Sequence, residues 1–206
     1  MYTALAAIYF KGEMTAPKKE TLRHEAIRHR DRIDPGSENF DSAITLFFDN
    51  IHPAKDQIVG LYWAKGREFN PDGIMERLLR EGYVCALPVV KQGSKELGFA
   101  LWKDGDPLAE GPFGIMQPAA DAAAKWVDPD IVVVPLLAFD RRGYRLGYGS
   151  GYYDVTLAAL RAKKKIIAVG LGYGQQAVLF NLPSEPHDEK LDWVITPQKA
   201  HSFIGQ

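Results

Sequence analysis

Ten consecutive residues carry the densest chemistry in the chain: RLGYGSGYYD, Arg145 to Asp154, with glycine at every second position from Gly147 to Gly151. Residues without a Cβ let successive backbone N–H groups turn toward one anion. A helix starting near Tyr153 adds its unpaired N–H groups and partial positive charge to the same point. Arg145 offers a full charge, and the faces of Tyr148, Tyr152 and Tyr153 suit an aromatic ligand. The spacing is neither G-x-x-x-x-G-K-[ST] nor G-x-G-x-x-G, so the Walker and dinucleotide fingerprints do not apply. A bulged or mobile strand connection fits the glycine spacing equally well, and tyrosines beside a strand also serve as packing.

Acidic groups stand in two places. Asp154, at the helix start, suits either a helix cap or, beside a phosphate, a magnesium ligand. HDEKLD, His187 to Asp192, supplies Asp188, Glu189 and Asp192 far along the chain, and two such sites can converge on one metal. His187 itself reads as a surface residue.

These groups need a frame. DIVVVPLLAF, Asp130 to Phe139, is the most apolar run in the chain, and its continuous β-branched character suits a central parallel strand. The glycine run follows it and leads into a helix reaching about Lys163, which is where open α/β sheets bind ligands. Upstream, Lys18 to Arg32 reads as a helix with Leu22, Ala26 and Ile27 on one stripe, surrounded by Lys18, Lys19, Arg23, Arg28, Arg30 and Arg32 as a solvated basic face. Pro35 and Gly36 stop it, and Ser37 to Asn50 makes a second amphipathic helix. Gln57 to Trp63 is a short strand; Asn70 caps a helix with Pro71 first and Gly82 as its stop; Val84 to Val90 is another strand. Gln92 to Pro118 reads as a hairpin-like excursion of two short strands, and Asp121 to Trp126 as a short helix. KIIAVGLGY, QQAVLF and LDWVITP then predict strand, short helix and a last short strand. This alternation predicts an α/β architecture: an open, mostly parallel sheet flanked by helices with right-handed crossovers.

The chain has 206 residues, 46% hydrophobic and 25% charged, with a formal net charge of −1. That length fits one compact domain, and the charge balance gives no general support for a nucleic-acid partner. Cys85 is the only cysteine, in the apolar VCALP, so it reads as a buried structural thiol. It excludes an internal disulfide and a cysteine-based zinc cluster, and fits a reducing cytoplasm. TALAAIYF near the start is too short to span a bilayer, and no signal peptide is expected. Met14 precedes TAPKKETLR, so residues 1–17 read as an N-terminal extension before a domain over 18–206.

VVVPLLAFDRRGYRLGYGSGYYD, then VGLGYGQQ and LPSEPHDEKLDWVIT, with KETLR earlier, together resemble the 5-formyltetrahydrofolate cyclo-ligase (5,10-methenyltetrahydrofolate synthetase) family. LYWAKGRE and GPFGIMQP match as well, so the likeness runs from Lys18 to Pro197 in the family's order. It implies a single domain of the ribose-phosphate-isomerase/CoA-transferase-like type. ATP, magnesium (Mg2+) and a reduced folate are the implied ligands. The implied reaction is phosphorylation of the formyl oxygen of 5-formyltetrahydrofolate, then attack by N10 and loss of phosphate. A monomer is expected, with a homodimer as the alternative, and neither nucleic acid nor membrane as partner.

Carried over position by position, the resemblance gives Lys19 and Arg23 as phosphate contacts. It makes Arg145, Leu146, Gly147, Tyr148, Gly149, Ser150, Gly151, Tyr152 and Tyr153 the ATP loop, with Arg145 and Tyr153 catalytic and Tyr148 to Tyr152 also facing the folate. Asp154 and Asp188 become the magnesium ligands, with Asp192 as a nearby alternative. Glu68 becomes the acid that bonds the pterin ring, with Trp63 lining its pocket; without the resemblance Glu68 reads equally as a surface acid at a helix entry. The chain departs from the family at Tyr148, where many members carry Arg, at Ser150, where Gly or Lys is common, and at Val155, where Arg often follows the Asp. These departures predict altered nucleotide affinity. Two other readings remain: a folate- or nucleotide-binding relative without turnover, and a sugar-phosphate isomerase, which lacks an evident acid–base set beyond Glu68.

Overall fold

In a computed structural model, which describes residues 18–119 and 124–205, an eight-stranded sheet is built around the apolar run. Its central strand β7 (Ile131–Pro135) is flanked by β1 (Ile58–Gly60) and β10 (Ile167–Leu171). Beyond β1 lie β2 (Val84–Val90), β3 (Leu97–Leu101) and β6 (Trp126–Val127); beyond β10 lie β11 (Trp193–Ile195) and β12 (Ala200–Ser202). β2, β1, β7, β10 and β11 run parallel. The three outer strands β3, β6 and β12 each pair antiparallel with their inner neighbour. Two small ribbons complete the strands, β4 (Leu108–Glu110) with β5 (Met116–Pro118) and β8 (Ala138–Phe139) with β9 (Arg145–Leu146).

Strand periodicity sorts the core. Ile131 and Val133 of β7 join Val169, Phe47 and Leu78 on one face, while Val132 and Val134 join Ala168, Leu157 and Leu160 on the other. The first face is covered by α2 (Phe40–Ile51) and α3 (Asp72–Arg80), the second by α4 (Tyr152–Lys163). Burial on both faces explains why β7 has no polar alternation. The remaining helix, α1 (Lys19–Arg30), uses Leu22 and Ala26 to pack on Leu137, Ala138 and Leu146 of the β8–β9 ribbon. That contact fixes α1 beside the glycine run, which leaves the ribbon at Leu146.

The parallel core and the helices follow the sequence expectation; the differences are local. GFALW extends the main sheet as β3 (Leu97–Leu101), which pairs with β2 from Ala86 to Val90. The helix expected over Asp121 to Trp126 falls partly outside the described residues, and Trp126 itself pairs with Ala100 as part of β6. QQAVLF makes only a 3-10 turn, Gly174–Gln176. There the Gln176 amide donates to the carbonyls of Leu136 and Leu137, and the Val178 N–H donates to the Phe139 carbonyl, which draws the chain away from helix. The expected extension over residues 1–17 lies outside the described residues.

Phe47 is fully buried between α2 and the sheet. Phe47→Ala should cost about 3–5 kcal/mol of folding stability, read as a lower urea midpoint at unchanged m-value.

Candidate active site

Above the glycine run opens a cavity of about 650 Å³. Apart from the alternative Asp192, the residues that the resemblance assigns line it: Lys19 and Arg23 from α1, Trp63 and Glu68 after β1, Arg145 to Asp154, and Asp188. Residues more than a hundred positions apart thus meet in one space.

One end is cationic. Gly149 has a φ of +95° and Gly151 a φ of +77°, conformations that suit glycine and turn the backbone into the N-terminus of α4. The Arg23 Nε–H donates to the Gly147 carbonyl at 3.1 Å. A Cβ on Gly149 would stand 2.9 Å from Arg23 Cζ, so the guanidinium lies directly on bare backbone. The Lys19 ammonium donates to Asp188 Oδ2 at 2.6 Å and stands 3.3 Å from Glu185. The Arg145 side chain, 5% exposed, donates to Asp154 Oδ1 at 3.0 Å, and the same oxygen accepts the Glu189 N–H. Asp154 therefore does not cap α4, whose cap position is Gly151. Asp192 is a correction: its carboxylate is taken by Arg161 and the Ala168 N–H, and it does not line the cavity.

The other end is aromatic and acidic. Glu68 is only 8% exposed and accepts the Lys65 N–H at 2.7 Å. Burial pushes its carboxyl above the ordinary 4.5, against the opposing pull of the Lys65 N–H, the Tyr148 hydroxyl and Arg30. The surface-acid alternative for Glu68 is thereby set aside. Trp63 packs edge-on against Trp102, and Tyr62 donates its hydroxyl to the Phe69 carbonyl. Tyr148 lines the cavity together with Glu68, and its hydroxyl helps to pull the Glu68 carboxyl down. Burial and the charge of Glu68 push that hydroxyl up to about 12.

Arg30 is a second correction. It was expected on a solvated face of α1, yet it is 6% exposed and donates to the Tyr148 hydroxyl. Other lining groups escaped the residue-by-residue reading: Tyr62 and Lys65 within LYWAKGRE, Phe113 and Gln117 within GPFGIMQP, and Glu185. Phe113 has a φ of +67° and its ring meets Tyr152 edge-on. His187 is both exposed and at the mouth, 3.2 Å from Glu185. The motifs marked these stretches, but no local signal marks which of their side chains turn inward.

Fold and cavity together describe an α/β protein whose glycine loop and aromatic pocket share one space. The chain belongs to the 5-formyltetrahydrofolate cyclo-ligase family, whose profile matches residues 15–197. The Haemophilus influenzae 5-formyltetrahydrofolate cyclo-ligase is 34% identical over 183 residues, which cover 86% of this chain and 97% of its own. The Mycolicibacterium smegmatis enzyme of the same name is 33% identical over 144 residues, covering 68% and 73%. The NMR structure of the Aquifex aeolicus 5,10-methenyltetrahydrofolate synthetase superposes with a TM-score of 0.74 at 26% identity, over 91% of this chain and 94% of that one.

Burial alone would raise the Asp188 carboxyl, but the Lys19 hydrogen bond, the Glu185 N–H and the Lys19 and His187 charges outweigh it and hold it below the ordinary 3.8. A depressed folded value stabilises the protein above the unfolded value, and the contribution disappears as pH falls through the folded one. The stability gap between the protein and Asp188→Asn should therefore be full at neutral pH and close below about pH 3.8. Urea midpoints measured across that range check it.

Proposed function

We propose that the protein converts 5-formyltetrahydrofolate to 5,10-methenyltetrahydrofolate, with ATP consumed to ADP and phosphate in a magnesium-dependent reaction. One observation carries this reading: a single cavity sets the cation-flanked glycine loop beside a buried carboxyl group. A polyanion and a ring bearing N–H donors are the ligands that such a pair of ends would hold side by side.

The residues fit those ligands. Lys19, Arg23 and Arg145 supply the positive charge, and the N–H groups from Gly147 to Gly151 the hydrogen bonds, for a phosphate chain. Arg145 and Tyr153 stand where phosphoryl transfer would occur, and Arg145 neutralises charge there. Among the described residues no three His, Cys, Asp or Glu form a metal-binding group. Two carboxylates, Asp154 and Asp188, still fit magnesium, which binds through one or two carboxylates plus substrate phosphates. Arg145 and Lys19 occupy those carboxylates here, so binding exchanges one cation for another. ATP supplies the phosphoryl group that turns the formyl oxygen into a leaving group. Glu68, Trp63 and the tyrosines orient the folate so that N10 meets the activated carbon, a positioning role that shortens the search for reactive geometry.

The buried, unpaired Cys85 fits a reducing cytoplasm, and no helix among the described residues is long and apolar enough to cross a membrane. A monomer accompanies this reading.

Purified protein with the folate and MgATP should give the near-ultraviolet absorbance of the methenyl product. Silence at high enzyme concentration, with folate and nucleotide binding by calorimetry, would replace the enzyme by a binding protein. Asp154→Asn should lower kcat by roughly 10²-fold or more while circular dichroism stays unchanged. Glu68 must be ionised to pair with ring N–H donors. Its raised carboxyl value therefore makes kcat/KM for the folate fall as pH drops through a point above 4.5. Glu68→Gln should flatten that limb and raise KM for the folate about tenfold or more.

A further inference from the structure

Arg30 is a guanidinium at the end of α1 with almost no access to solvent, and it does not line the cavity. Among the described residues its Nε–H is buried and meets no hydrogen-bond partner, and its nearest carboxylate, Asp31, stands 3.5 Å away. Such burial is costly for a cation unless a neighbour accepts its hydrogen bonds. The neighbour is Tyr148: Arg30 Nη1 donates to its hydroxyl oxygen, and the guanidinium lies 5.6 Å from its ring centroid. With its oxygen accepting from Arg30, the hydroxyl keeps its proton for an acceptor, and Glu68 lines the same cavity as Tyr148 and is pulled down by that hydroxyl.

We propose that Arg30 is a positioning residue: it orients the Tyr148 hydroxyl as a donor to the Glu68 carboxylate, and so fixes the acid that meets the folate ring. This rests on the folate reading of the Glu68 end. Arg30 is reached from α1, Tyr148 from the glycine loop and Glu68 from the segment after β1, so the relay ties three distant parts of the chain. The other groups facing Glu68 are Lys65, through its N–H and its charge, and the hydroxyls of Tyr62 and Tyr153. Lys65 is an exposed cation, and burial pushes the hydroxyls of Tyr62 and Tyr153 up. Of the two cations Arg30 and Lys65, only Arg30 is buried, and its directed hydrogen bond goes to Tyr148. A chain of polarised hydrogen bonds in such a setting strengthens the last member, the donor to the carboxylate.

The test uses Tyr148→Phe and Arg30→Met, with Glu68→Gln to identify the Glu68 carboxyl signal in carbon-13 NMR of the free protein. Loss of the donor should move the Glu68 titration upward in pH in both variants. It should raise KM for 5-formyltetrahydrofolate roughly tenfold while KM for ATP stays within about twofold. In a Glu68→Gln background neither substitution should raise that KM further, because contacting residues are not additive. Folded variants with an unmoved titration and an unmoved folate KM, even with a lowered Tm, would overturn the proposal and leave Arg30 a packing residue. Tyr148→Phe keeps the ring and reads the same relay if Arg30→Met does not fold. Absence of methenyl product from the unaltered protein would remove the functional reading alone, since the NMR titration still decides the relay.

Discussion

A guanidinium resting on backbone that has no side chain is the contact from which the site is organised. Arg23 reaches the Gly147 carbonyl and lies against Gly149, a closeness that any Cβ at Gly149 would prevent. Because α1 is held there by Leu22 and Ala26 as well, the apolar stripe and the polar contact enforce one another. Lys19 and Arg30 then fall at the two ends of the cavity region without further adjustment: spacings of four and seven residues keep Lys19, Arg23 and Arg30 within an arc of about 40° on a helix of 3.6 residues per turn.

Charge is arranged differently at the two ends. At the glycine loop each acid has a cation of its own, Asp188 with Lys19 and Asp154 with Arg145. At Glu68 the acid is withdrawn from water and held by N–H and O–H donors, so its charge state responds to its neighbours. The first arrangement suits ligands that carry their own counter-ion. The second suits recognition of a neutral ring edge by paired hydrogen bonds.

How much of this is legible in the sequence depends on distance along the chain. The Ile131–Pro135 strand, the glycine turn and the α4 start are written in adjacent residues, so periodicity and glycine placement reveal them. The family likeness carried the assignment of Lys19, Glu68 and Asp188 to one cavity, which spacing alone leaves undecided. Arg30 shows the limit: it looks like one more solvated base on a basic helix, and its burial depends on Tyr148, 118 residues away. The same reason hides β12 and the 3-10 turn after β10, where pairing partners and the Gln176 amide outweigh local preference.

α1 also behaves as a ruler. Each residue advances its axis by about 1.5 Å and turns it by about 100°, so Lys19 and Arg30 stand some 16 Å apart along one line. Inserting or deleting one residue between them would swing one end away from the cavity, whatever the residue was. An exposed position such as Arg28, which pairs with Glu25, is thus free in chemical identity but fixed in number. What the helix contributes to the cavity is in part a length, and a length tolerates no change that a composition would absorb.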